Sequence, residues 1–196
     1  GRGVGGGGKR HGGALGIGAG RDVARRGEGG APDRYGRQTA FLFIAGEAAP
    51  VQATLLAQGE AFAAGDIADR DCAGALLAAE ETARAAKKGI WANHTATKNA
   101  ESTGDILAGN GRFMLVEGRV LSVRQAGATT YLNFGRNWTR DFAVTISRRM
   151  LPSLEAAGMA PKSLENRRIR VRGFIETRTG PRIELHQAGQ LELLVN

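Results

Sequence analysis

"DRYGRQTAFLFIAGE", Asp33 to Glu47, joins two kinds of chemistry in fifteen residues. A charged turn containing Gly36 closes on Arg37, and an apolar run, Thr39–Ala45, follows at once. The run is β-branched and aromatic, so it reads as a strand ended by the turn Ala45-Gly46-Glu47. Arg37 therefore stands where a turn enters a sheet. It has two candidate tasks there: to pair locally with Asp33, or to offer its rigid fork of donors to a phosphate.

Working outward, Pro50 suits the start of a helix, and "PVQATLLAQG" stops at Gly59 as a C-terminal cap. Glu60–Ala64 reads as a short strand. Asp69 or Asp71 caps a longer helix, "CAGALLAAEETARAAKKG", with Leu76, Ala79, Ala83, Ala86 and Ile90 at three-four spacing on one face. Lys87 and Lys88 suit its negative end, Gly89 closes it, and Trp91 packs back on the core. Before the turn, residues 1–30 are nearly half glycine, and residues 1–18 are expected to be disordered. "GVGGGGKR" falls short of a phosphate-binding loop, since Arg10 occupies the hydroxyl position and no strand precedes it.

Three of these segments, "DRYGRQTAFLF", "VQATLLAQGEAFA" and "AAEETARAAKKGIWA", follow one another in an order that resembles the thermonuclease (staphylococcal-nuclease-like) family. "AGRDVARRG" looks like the strand leading into the turn. The resemblance spans roughly 19–92, the C-terminal half of the family's domain. It implies calcium-dependent phosphodiester hydrolysis, with Arg37 against the scissile phosphate, where a guanidinium meets the charge that builds on the phosphoryl oxygens. It also implies a secreted or periplasmic location. The family's Asp-Thr-Pro-Glu motif, which holds calcium and activates water, has no counterpart here. Upstream of Asp33 the acids are Asp22 and Glu28. The chain thus reads as an N-terminally truncated or altered member with impaired cleavage, no metal site and no cofactor of its own. The alternative is a non-catalytic single-stranded nucleic-acid-binding or protein-interaction module.

Residues 93–110 are polar, small and nearly aperiodic, and read as a linker. From 111 to 196 the pattern becomes three strands, a helix ("MLPSLEAAG") and further strands, which suits a small OB-like barrel. The fold class is therefore α+β, mainly β: a partial nuclease-type OB barrel with C-terminal helices, then a second OB-like barrel.

Formal charge is +8 and the pI about 10.5, and about +7 of that charge lies in 111–196, against about −3 in 33–110 and about +4 in 1–32. A polyanionic partner follows, with nucleic acid, DNA or RNA and single-stranded by preference, ahead of a membrane surface. No apolar run approaches a membrane span and no signal peptide is visible. "TTYLNFGRNWTRDF" interleaves Tyr131 and Trp138 with Arg136 and Arg140, as a base-stacking surface would. "RRIRVR" places Arg168, Arg170 and Arg172 on one strand face, a costly row unless solvated or matched to an anion. The remaining signals read as structure. "DIADRD", Asp66–Asp71, lacks the spacing of a calcium loop. His11, His94 and His186 are scattered, and Cys72, the single cysteine, reads as a small buried residue.

Overall fold

A computed structural model of the chain describes residues 22–26, 34–36 and 40–194. The tail 1–18, Asp33 and Arg37 lie outside these residues. The chain divides into two units, Gly1–Ala63 with Ala75–Asn93, and Ala64–Gly74 with His94–Asn196.

In the first unit, strands β1 (Val23–Arg26) and β2 (Phe41–Ile44) form an antiparallel pair, Val23 opposite Ile44. The other edge of β2 is held by a side chain from helix α1 (Val51–Gln58). Gln52 accepts the Leu42 N–H at 3.2 Å and donates to the Ala40 carbonyl at 2.8 Å. A glutamine amide can do this because it carries donor and acceptor together, as one rung of a strand partner does. Helix α1 ends on Gly59 in the left-handed conformation, φ 74°. The Gly59 N–H bonds Leu56 and the Glu60 N–H bonds Leu55, a Schellman cap. Glu60–Ala64, expected as a strand, is instead an irregular segment. Its Ala63 N–H is taken by the carboxylate of buried Glu80, at 2.6 Å, rather than by a neighbouring strand. Helix α2 (Arg70–Ala85) begins at Asp69, whose carboxylate accepts the Cys72 N–H at 2.8 Å. Beyond it, Trp91 is buried edge-on against Phe62, ring centroids 5.2 Å apart.

The second unit carries most of the sheet. Strands β3 (Thr97–Asn99), β4 (Phe113–Arg119), β8 (Arg168–Phe174) and β11 (Leu191–Leu193) make one sheet, in the order β11-β8-β4-β3. Strands β5 (Ser122–Ala126), β6 (Thr129–Asn133), β7 (Ala143–Ser147), β9 (Glu176–Thr177) and β10 (Pro181–Leu185) make another, in the order β5-β6-β7-β10-β9. Strand β4 runs into β5 through Val120 and Leu121, and β8 into β9 through Ile175. The pairings therefore pass from one sheet into the other at two bent strands. With β7 and β10 parallel and the other pairs of the second sheet antiparallel, this is an OB-like arrangement of two sheets rather than one closed cylinder. Inward alternation builds the core: Leu132, Val144, Ile146, Ile169, Val171, Ile183 and Leu185 are buried with Phe142 and with Leu154 of helix α4 (Leu151–Ala156).

The 93–110 stretch departs from its reading as a linker. It contains β3, parallel to β4, and helix α3 (Thr103–Leu107), and it sends Ala100 and Ile106 into the core. Two buried side chains in eighteen residues anchor the segment without producing a periodicity. Among the described residues no helix is long and apolar enough to cross a membrane.

Candidate nucleic-acid interface

The loop between β6 and β7, Phe134–Phe142, is the most strongly presented candidate. It is braced from within. The Asp141 carboxylate accepts the Asn137 N–H at 2.8 Å, and Asn137 Oδ1 accepts the Thr139 N–H and hydroxyl at 3.1 and 2.6 Å. The Arg140 and Asp141 N–H groups both bond the Asn137 carbonyl. Short polar side chains that bond their own backbone specify such a turn. Phe134 and Phe142 anchor its two ends in the core, ring centroids 5.2 Å apart. What the anchored loop exposes is Trp138, 70% accessible, with Arg136 and Arg140 on either side. The turn between β9 and β10 lies alongside, Gly180 against the backbone of Arg140 and Asp141, and carries exposed Arg178.

Of the other expected contacts, Tyr131 is half-buried on β6 between Arg124 of β5 and Thr145 of β7. The arginine row of β8 is split. Arg168 is exposed, but Arg170 and Arg172 are buried. Arg170 donates to Glu117 at 2.7 Å and to Glu192 at 3.1 Å, and Arg172 also pairs with Glu192. Gly65 helps to cover this face: a Cβ on it would lie 2.8 Å from the Arg172 side chain. Arg170 and Arg172 thus complete an internal ion-pair ladder and do not offer their guanidiniums to a phosphate, a correction to the reading of three outward arginines. The alternation placed them on one face; the carboxylates facing them come from β4 and β11, far away in sequence.

Lys98 and Arg119 were absent from the sequence-based candidates. Together with Arg168 they line a groove of about 360 Å³ beside Asn99, Glu101 and Glu117. A signal for Arg119 exists in "VEGR", where Glu117 and Arg119 repeat at strand period 2; nothing local marks Lys98.

Calcium, which the family resemblance implies, finds no fitting ligand set among the described residues: no three His, Cys, Asp or Glu side chains converge there. Glu117, Glu176 and Glu192 of the C-terminal sheets pair with arginines instead. Asp69 is held below the usual carboxylate range by the Cys72 N–H it accepts, and in turn it pushes the Cys72 thiol up. Both groups serve a helix start.

Residues 19–93 match the family described as staphylococcal nuclease homologue. No curated protein matches the chain. Among solved structures, the aspartyl tRNA synthetase from Entamoeba histolytica is 15% identical with a TM-score of 0.36, covering 51% of this chain and 22% of that one. An OBody, AM1L10, bound to hen egg-white lysozyme is 17% identical with a TM-score of 0.36, over 48% of this chain and 91% of its own. The asparaginyl-tRNA synthetase from Pyrococcus horikoshii is 16% identical with a TM-score of 0.34, over 44% of this chain and 20% of that one. The chain thus spans about a fifth of either synthetase.

Proposed function

We propose that this protein binds single-stranded nucleic acid through its C-terminal unit, as a member of the nuclease family whose described residues serve binding rather than cleavage. The observation that carries this reading is Trp138: a large aromatic, 70% exposed, on a loop stiffened by its own hydrogen bonds and flanked by Arg136 and Arg140. A base can stack on the indole while the guanidiniums meet the backbone on either side, and a braced loop loses little entropy in doing so. The formal charge of +8 supports the same partner. Arg37, by its family position, adds a phosphate contact in the other unit. Among the described residues no three His, Cys, Asp or Glu side chains converge to hold calcium.

Fluorescence anisotropy with an unstructured oligonucleotide at several salt concentrations tests this. Trp138→Ala is expected to cost about 1–3 kcal/mol of binding with the salt slope preserved. Arg136→Ala or Arg140→Ala should lower that slope by roughly one. Binding that ignores salt and tolerates Trp138→Ala would make the loop a protein-interaction surface instead.

A further inference from the structure

Arg119 and Arg168 are direct partners across the antiparallel pair β4–β8. Both are exposed. Opposed like charges on adjacent strands destabilise a sheet, and no described carboxylate forms an ion pair with either one. Arg119 donates to the Asn166 backbone carbonyl at 3.0 Å. Among the described residues none of Lys98, Arg119 and Arg168 forms an ion pair. The contrast lies one step along the same strands, where Arg170 sits between Glu117 and Glu192. The sheet therefore neutralises one arginine and leaves a neighbouring pair facing each other across an open groove.

That groove has the size of a small-ligand site: about 360 Å³, against roughly 300–1,000 Å³ for such sites. Its wall on the β3 side brings Lys98 beside the two arginines. Asn99 fixes the turn at the rim by accepting the Glu101 N–H at 3.0 Å. Of the two acids on the groove, Glu117 is taken up by Arg170 at 2.7 Å, which leaves Glu101 against three cations. A phosphodiester carries one negative charge, whereas a terminal phosphate carries about 1.5–2 near neutral pH and presents three strong acceptor oxygens. Two guanidinium forks and an ammonium match the second better than the first.

We propose that this groove is a phosphomonoester site, taking the terminal phosphate of a nucleic-acid strand or of a mononucleotide. It is formed by β3, β4 and β8 and does not rest on the Trp138 loop, so the two readings stand or fall separately.

The test uses the full chain and three probes: an oligonucleotide with a 5′-phosphate, the same one with a 5′-hydroxyl, and inorganic phosphate observed by phosphorus NMR. The phosphorylated strand is expected to bind about tenfold tighter, the equivalent of one charge-assisted hydrogen bond, and phosphate alone should broaden or shift. Arg119→Gln with Arg168→Gln should collapse the phosphate preference. Glu101→Gln, which removes the opposing acid, should increase it, so a gain is read as well as a loss. A free-phosphate response without oligonucleotide binding would keep the groove and sink the loop reading. Equal binding of both strands, with a phosphate resonance that the protein leaves untouched, would overturn the groove.

Discussion

The two units solve the same problem, what to do with the edge of a sheet, by different means. In the first, β2 has one strand partner, β1, and beyond it the Gln52 amide and a single bridge from Phe43 to Pro50. Val23 and Leu42 remain 47% and 40% exposed. In the second, bent strands carry the pairing from one sheet into the next, and both inner faces bury a shared aliphatic core. A side-chain clamp satisfies two backbone groups, whereas a strand satisfies a row of them and adds a packed face. Local opening should therefore be easier around β1 and β2 than across β4–β8. Charge is handled differently as well. The second unit sets Glu117 and Glu192 against two buried arginines and leaves Arg119, Arg136, Arg140 and Arg168 exposed.

The largest expected effect tests that burial. Glu192→Ala removes a shared carboxylate partner of Arg170 and Arg172, and should destabilise the second unit by about 3–5 kcal/mol, read by urea unfolding. Glu176→Ala breaks the Arg182 pair at 3.0 Å, where the glutamate is half exposed; the expected cost is about 0–1 kcal/mol. Equal costs would erase the distinction between a buried ladder and a pair whose glutamate is half exposed.

Next comes the backbone of the first unit. The Gly59 carbonyl accepts the Ile90 N–H at 2.9 Å, and a Cβ on Gly59 would lie 2.3 Å from the Lys88 carbonyl oxygen. Gly59→Ala combines that clash with a left-handed φ and should cost about 1–3 kcal/mol. Hydrogen exchange should show the loss at amides of 51–63 and 89–92, with β4 and β8 unchanged. Loss of protection across both units would show that they unfold together.

The smallest effect is at the start of α2. Asp69→Asn keeps a capping side chain but removes the carboxylate whose hydrogen bond to the Cys72 thiol, and then its charge, hold that thiol up. Alkylation at about pH 8 should quicken by a few-fold, with helix content unchanged. The pH dependence follows the lowered Asp69 pKa: the charged cap is fully present above the ordinary carboxylate range and is lost only as pH falls through the lowered value. Unchanged thiol reactivity would place the carboxylate away from the sulfur.

Much of this molecule is local, and local features were readable. Pro50 and Gly59 bound a helix, Asp69 begins another, and the alternation of Phe142, Val144 and Ile146 marks a strand with a buried face, because caps and strand periods depend on residues a few positions apart. The family match of 19–93 has the same origin, an ordered series of short motifs. Tertiary structure decided what covers each face. Alternation put Arg168, Arg170 and Arg172 on one side of β8, yet Glu117, Glu192 and the segment around Gly65 determined that two of them are buried and one is not. The 93–110 stretch became a strand and a helix because Ala100 and Ile106 found a core built by residues well downstream. Burial and charge pairing are properties of contacts between distant segments, and no spacing within one segment encodes them.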